Sequence, residues 1–417
     1  MNIPLHVAGA LFSLGAAAGS GKEDPSNFET SAVQLPTVED PSEPGFLNIT
    51  LAEDVTVKVG GRLFYDWGWF SGDDPTYNTD TSGATPELED GNEFRAARLY
   101  AEGTLFEKVN YKAEFDFTDG SDSPDFKDVF MAVKETPVGE VKAGHYKEYF
   151  GLEQLTSSRF ITFMERGLPS AFAPDRNNGI GFSDHNESKT MTWGAGVFRT
   201  TGDVPVGLGD SEYSYTARVT GTPWYESEGE DLLHLGAAAS FRMDDMVQFR
   251  SRPEANLVNR PADTGAIEAD DTLLLGGEAA WVGGPLSAQA EYMLADVSAS
   301  GAAQDGDFSS YYAFISWFIT GEHRAYKSST ATFDRVKPAE NFLSGGPGAV
   351  ELAARYSFLD LDDGAAYTEE LADMTFGINW YWNPNTRVML NAIHSEFESG
   401  AVDDSADILM VRFQVDF

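Results

Sequence analysis

Residues 56–70 read TVKVGGRLFYDWGWF, and apolar and polar side chains alternate along most of this stretch. The odd-numbered positions carry apolar or small residues and end in aromatic ones: Val57, Val59, Gly61, Leu63, Tyr65, Trp67 and Trp69. The even-numbered positions include Lys58, Arg62 and Asp66. Because successive side chains of a β-strand point to opposite faces, the pattern predicts a strand with one apolar and one polar face.

The same alternation returns, with breaks, up to the last residue, Phe417. It predicts sixteen strands, placed near 56–69, 93–105, 109–118, 126–135, 139–146, 178–184, 190–199, 211–221, 231–243, 270–282, 286–296, 308–320, 349–359, 371–382, 386–397 and 406–417. Connections after even-numbered strands are mostly short and those after odd-numbered strands mostly long, which is typical of bacterial membrane barrels.

Two properties favour a membrane barrel over a soluble sandwich: charged residues occupy the polar face in mid-strand, and aromatic residues gather at the ends of apolar faces. A helical membrane span is not expected, because no run of eighteen apolar residues is present. An open sheet edge in hydrocarbon costs several kcal/mol for each unpaired backbone group, so the sheet has to close. We therefore predict an all-β protein: a sixteen-stranded antiparallel transmembrane β-barrel, with lumen-folded loops around an aqueous channel.

Composition excludes several other classes. The 67 acidic residues against 28 basic ones give a formal net charge of −39, which makes nucleic acid a poor partner. Cysteine is absent, so disulfides, zinc–thiolate sites and thiol nucleophiles are excluded. The six histidines form no metal or catalytic motif. We expect the protein to have no catalytic activity and to bind no cofactor.

The chain divides into three parts by composition. Residues 1–21 combine an apolar run with small residues near its end and read as a signal peptide, although the usual basic residues are missing at the start. Residues 22–54 are acidic and rich in Pro and Ser, which predicts a flexible lead-in. Residues 55–417 form the predicted barrel.

Several long motifs resemble the phosphate-selective porin O/P family. The clearest is KAGHYKEYFGLEQLTSSRFITFMERGLPSAFAPDRNNGIGF at 142–182, which is similar to the family's fifth strand, third outer loop and next strand. The others are GNEFRAARLYAEGTLF at 91–106, QFRSRPEANLVNRPADTG at 248–265 and TGEHRAYKSSTATFDRVKP at 320–338. The likeness extends over about 55–417.

This resemblance implies an outer-membrane porin of a Gram-negative-type bacterium, surrounded by lipids and lipopolysaccharide and assembled as a homotrimer. It implies passive diffusion of small anionic solutes such as phosphate or related oxyanions. The third loop, the fifth loop and the insertion before strand thirteen would narrow the pore. The expected pore-lining or solute-binding residues are Arg62, Arg98, Lys112, Lys142, Arg159, Arg166, Arg176, Arg250 and Arg252.

The sequence also departs from the family pattern. Where the family commonly has two adjacent arginines, this chain has Arg95 followed by Ala96. Position 96 has lumenal parity, which means that it falls on the strand face predicted to line the lumen. A pore cation is therefore expected to be missing there. Glu102, Glu114 and Asp116 are also expected to face the lumen. A general or cation-leaning porin and a structural or adhesive surface barrel therefore remain alternatives, and lumen charge and conductance separate them.

Overall fold

The protein is a closed antiparallel barrel of sixteen strands. The computed structural model describes residues 47–417 except 53, 74–75, 79–87, 119–123, 202–212, 302 and 365. The barrel strands are β1 Val55–Gly72, β2 Gly91–Leu105, β3 Val109–Asp116, β4 Asp125–Thr136, β5 Gly139–Lys147, β6 Arg176–His185, β7 Met191–Arg199, β8 Tyr213–Glu226, β9 Asp231–Arg242, β10 Ile267–Gly283, β11 Leu286–Ala299, β12 Gly306–Phe318, β13 Ala349–Asp362, β14 Thr368–Asn383, β15 Thr386–Ser399 and β16 Val402–Asp416. Each strand pairs with its neighbour in sequence, and the order predicted from the alternation is confirmed.

The barrel closes where β1 pairs with β16, with Arg62 opposite Asp416. At this seam the backbones of Gly61 and Phe417 exchange two hydrogen bonds, of 2.8 and 3.0 Å. A Cβ atom at Gly61 would lie 2.5 Å from the backbone oxygen of Arg98, so only glycine lets the strands approach this closely.

The two faces of β1 follow the predicted alternation. Leu63 and Trp67 on the outer face are 40% and 43% exposed, whereas Arg62 and Asp66 on the lumenal face are 5% and 0% exposed. Apolar side chains therefore cover the outside of the barrel, where hydrocarbon would contact them, and charged side chains point inward.

Shorter elements lie in the connections. The short strands are Met246–Val247, Arg250–Ser251, Ala262–Asp263, Tyr326–Lys327 and Thr332–Phe333. A one-turn α-helix covers Leu152–Leu155, and 3₁₀ turns cover Leu168–Ala171, Ser227–Gly229 and Phe342–Ser344. None of the helices in the described ranges is long and apolar enough to cross a membrane.

The segment before β1 differs in part from the flexible lead-in predicted for 22–54. Leu47–Ala52 forms a short strand that pairs antiparallel with the start of β1, from Val55 to Val59. Alternating Ile, Thr and Leu residues favour a strand over the coil that the proline-rich composition upstream suggested. The predicted signal peptide and residues 22–46 of the lead-in lie outside the described residues.

Candidate pore constriction

The third outer loop, residues 148–175, lies inside the barrel. Three lumenal arginines from neighbouring strands, Arg355, Arg387 and Arg412, are each 2% exposed and donate to its backbone. Their acceptors are the carbonyl oxygens of Glu165 at 3.0 Å, Ile161 at 2.9 Å and Met164. A loop buried without a regular backbone ladder needs such partners, and the guanidinium groups supply them.

The start of this loop is anchored by a carboxylate of β11. Gly151 has φ 72°, which turns the chain so that the backbone N–H groups of Leu152 and Glu153 point at Glu291 of β11. They donate to its two carboxylate oxygens at 2.8 and 2.7 Å. Further along, Phe163 packs edge-on against Phe314 of β12, 5.5 Å between ring centroids.

The fifth outer loop, residues 243–266, also turns inward and contacts the third. Phe249 packs edge-on against Phe172 of the third loop, with ring centroids 4.9 Å apart. Glu254 is 3% exposed and accepts hydrogen bonds from Arg355 of β13 at 2.9 Å and Thr375 of β14 at 2.6 Å. The two loops therefore share one lumenal wall.

The insertion between β12 and β13, residues 319–348, packs against the third loop. Tyr326 and Phe333 form a buried cluster with Leu152 of the third loop. A polar network ties the insertion to the barrel wall: His234 contacts the Tyr326 hydroxyl at 2.8 Å and Glu278 at 2.9 Å.

An open cavity of about 670 Å³ remains against the lumenal side of β4–β8. Lys142, Lys147, Arg218 and Asp128 are among the residues that line it, together with Thr330 of the insertion. The loop contacts given above are with β9–β16, whereas the cavity lies against β4–β8.

Six basic side chains form a charged group that reaches this cavity at Lys147 and at the carboxylate of Asp128, and we call it the cationic cluster. Its members are Arg62, Arg98, Lys112, Lys147, Arg166 and Arg176. Four carboxylates pair with it: Glu114, Asp116, Asp128 and Asp175.

The ion pairs within the cluster are short. Glu114 pairs with Arg62 and Lys112, each at 2.7 Å, and Asp128 pairs with Arg176 at 2.7 Å. Glu114 and Asp116 face the lumen, as predicted, and the structure shows them as partners of the arginines. They hold the guanidinium groups in place and offset part of their charge.

Two members of the cluster bind carbonyl oxygens. Arg166 donates to the backbone oxygens of Glu153 at 2.9 Å and Thr156 at 3.0 Å, and Lys147 donates to that of Gln154. Burial lowers the pKa of Arg166. Both side chains lie within electrostatic range of Arg176 and Asp175, so they belong to the same charged group.

The remaining predicted residues do not join the cluster. Lys142 lies over the rings of Phe130 and Tyr146, and Arg159 stacks on Phe160 and pairs with Asp416 at 3.8 Å. In the fifth loop, Arg250 is exposed, and burial and the neighbouring Arg260 lower the pKa of Arg252 to about 10. The nine predicted residues thus occupy several places along the lumen and its loops.

The structure corrects the prediction that a pore cation is missing around position 96. The pairing of β1 with β2 shifts register between Phe64 and Tyr65, and Arg95 is the extra residue of this bulge. Arg95 therefore turns inward although its parity predicts an outward position, and it binds Glu165 of the third loop at 2.9 Å. Bulges of this kind re-aim one side chain and cannot be located from alternation alone.

Other lumenal arginines were missed as site residues. They are Arg218, Arg242, Arg324, Arg355, Arg387 and Arg412, each 7% exposed or less. All but Arg324 lie on the lumenal parity of their strands, and this signal was available in the sequence. Arg324 lies in the insertion between β12 and β13, where no regular alternation exists.

A closed sixteen-stranded barrel with an apolar exterior, charged lumen and inward-folded loops defines an outer-membrane porin. Residues 57–417 match the sequence pattern of the family described as "Phosphate-selective porin O and P". The chain belongs to this family, and its location is the bacterial outer membrane.

Similarity to known proteins supports this assignment. The chain is 29% identical over 409 residues to "Porin O" of Pseudomonas aeruginosa, covering 88% of this chain and 90% of that protein. An anion-selective porin from Comamonas acidovorans has a similar structure, with TM-score 0.53 and 12% identity over 87% of this chain and 100% of that one. The trimer form of OmpT from Vibrio cholerae gives 0.52 at 12% identity, over 87% and 100%. At these identities the structural likeness shows the fold.

Proposed function

We propose that this porin lets small anions, such as phosphate and related oxyanions, diffuse passively across the outer membrane. The observation that carries the proposal is the cationic cluster, in which six basic side chains lie among four carboxylates and which reaches the open cavity at Lys147 and Asp128. The family to which the chain belongs is described as phosphate-selective, and a structurally similar porin from Comamonas acidovorans is anion-selective, which points the same way.

The whole-chain charge does not decide ion selectivity. The formal net charge is −39, but permeating ions respond to the charges nearest their path, because salt screens exposed charges beyond about 10 Å. Guanidinium groups present a fixed fork of donors that suits phosphate oxygens. Arg62, Arg98 and Arg176 would contribute such donors, and the carboxylates beside them would keep each fork in one orientation.

The test is the zero-current reversal potential of purified protein in a planar bilayer, across a potassium chloride gradient, with phosphate titrated in. Anion selectivity together with phosphate block of the chloride current is the expected result. Cation selectivity without block would replace the proposal by a cation-leaning porin. Protein that inserts but does not conduct would indicate a structural or adhesive barrel.

We also propose a homotrimer whose subunits meet along β2–β6. All eight tryptophans lie outside residues 70–192, and among the outward-facing residues described on β2–β6 the only tyrosine is Tyr111. Trp and Tyr normally mark the two levels where a barrel meets lipid headgroups. The gap in this belt, where Met131 and Ile180 are 59% and 64% exposed, fits contact with a second copy of the chain.

The remaining expectations complete the proposal. Residues 1–21 would be removed as a signal peptide on export, and residues 22–46 would follow as a periplasmic lead-in. The protein would carry no cofactor and no catalytic activity. Lipids and lipopolysaccharide would surround the faces of the barrel that carry the tryptophans.

A further inference from the structure

Arg355 of β13 binds both inward-folded outer loops with one guanidinium group. Its Nε donates to Glu254 of the fifth loop at 2.9 Å. Its Nη1 contacts Glu153 of the third loop at 3.4 Å, and its Nη2 donates to the backbone oxygen of Glu165, also in the third loop, at 3.0 Å. The side chain is fully buried.

The two loop carboxylates are each fixed by further bonds. Glu254 also accepts from the hydroxyls of Ser357 and Thr375, and Glu153 accepts from the backbone N–H of Gly167 at 2.9 Å. Arg355 is the group that both carboxylates share. Because its donors form a rigid planar fork, neither loop can shift relative to the other without breaking a bond to it.

The loop positions held by Arg355 adjoin charged residues of the lumen. Arg252 precedes Glu254 by two residues, and the carboxylate of Glu165 binds Arg95 of β2. We propose that Arg355 is the positioning residue that couples the third and fifth loops and thereby sets the diameter of the pore. This rests on the proposed channel function.

The coupling can be tested directly by measuring the distance between the two loops. The chain has no cysteine, so Ser170→Cys in the third loop and Gln248→Cys in the fifth accept spin labels without background. We expect a narrow distance distribution in the parent chain and a broadened one in Arg355→Met. Arg218→Met is the matched control, because it removes a buried lumenal arginine that binds Glu278 and the insertion.

A second variant covers the case in which Arg355→Met does not assemble. Glu254→Gln keeps a hydrogen-bonding side chain but releases the fifth loop from the ion pair, so it should broaden the same distribution. An unchanged distribution in Glu254→Gln and in assembled Arg355→Met would overturn the proposal. This readout does not depend on conduction, so it is separable from failure of the proposed function.

The pore-level test is exclusion of polyethylene glycols of graded size from the open channel. Arg355→Met should admit larger polymers and show noisier currents than the parent. Arg355→Lys keeps the charge opposite Glu254 but lacks the fork, so it should retain barrel stability and still raise the size limit. A size limit equal to the parent's in both variants would assign Arg355 to stability alone.

Discussion

Arg95 of β2 and Glu165 of the third outer loop are joined by two parallel hydrogen bonds, each of 2.9 Å. Glu165 also accepts from Arg412 of β16 at 2.7 Å. Burial alone would raise the pKa of Glu165, but the guanidinium groups of Arg95 and Arg412 lower it to about 2. The carboxylate therefore stays ionised near neutral pH and bridges two strands on either side of β1.

Arg95→Gln should shift the reversal potential toward cation selectivity. The change removes a lumenal cation and leaves Glu165 with less compensation, so the local potential becomes more negative. Lys108→Gln is the control, since Lys108 lies in an exposed turn, where it pairs with Glu135 at 3.2 Å. Equal shifts in the two variants would mean that Arg95 has no special access to permeating ions.

Anion selectivity should fall as the pH rises through about 10. Burial and the neighbouring Arg260 lower the pKa of Arg252 to about 10, so this guanidinium is charged below that pH and loses its charge above it. Reversal potentials measured across this range in chloride provide the test. Arg252→Gln should lack the transition, and a transition of the same size in that variant would assign it to another group.

Arg412→Met should destabilise the barrel by about 3–5 kcal/mol, because it leaves a buried charge without its partner. Arg412 binds both carboxylate oxygens of Asp66, at 2.7 and 2.6 Å, and both side chains are almost fully buried. Urea unfolding in lipid vesicles measures the loss. The double variant Asp66→Asn, Arg412→Met should recover much of it, and no recovery would place the cost on the third loop.

Ile180→Arg should convert the proposed trimer to monomers, whereas Ile315→Arg should leave it intact. The two isoleucines are 64% and 66% exposed on the outer face, but Ile180 lies on β6 within the tryptophan-free part and Ile315 on β12 outside it. Each arginine would cost about 2–4 kcal/mol if it faced lipid at mid-membrane. Semi-native electrophoresis distinguishes the oligomers, and the reverse pattern would move the subunit contact to the opposite wall.

The alternation predicts the strands well because each strand has an apolar outer face and a charged lumenal face, and successive residues belong to different faces. The sixteen strands were placed within about five residues at each end. Where local geometry breaks the period, the prediction fails: Arg95 is the extra residue of a bulge. Composition also misleads at Leu47–Ala52, which pairs with β1 although it follows a proline-rich segment.

The candidate site was predicted in part. Residues such as Arg62 and Arg98 follow from strand parity, but their partners do not, because Glu114 and Asp116 come from a different strand of the sheet. The bonds between Arg355 and two separate loops depend on long-range packing that no local pattern encodes. Arg355 therefore remained outside the predicted set although its parity is lumenal.

The seam between Gly61 and Phe417 has a consequence for biogenesis. It joins the first barrel strand to Phe417, directly after β16, and spans the largest sequence separation among the strand pairings that the structure describes. Contacts this distant form late, since the intervening chain must be brought together first. The barrel therefore cannot seal until β16 has been synthesised and exported, and until then the free edge of β1 stays open to other strands.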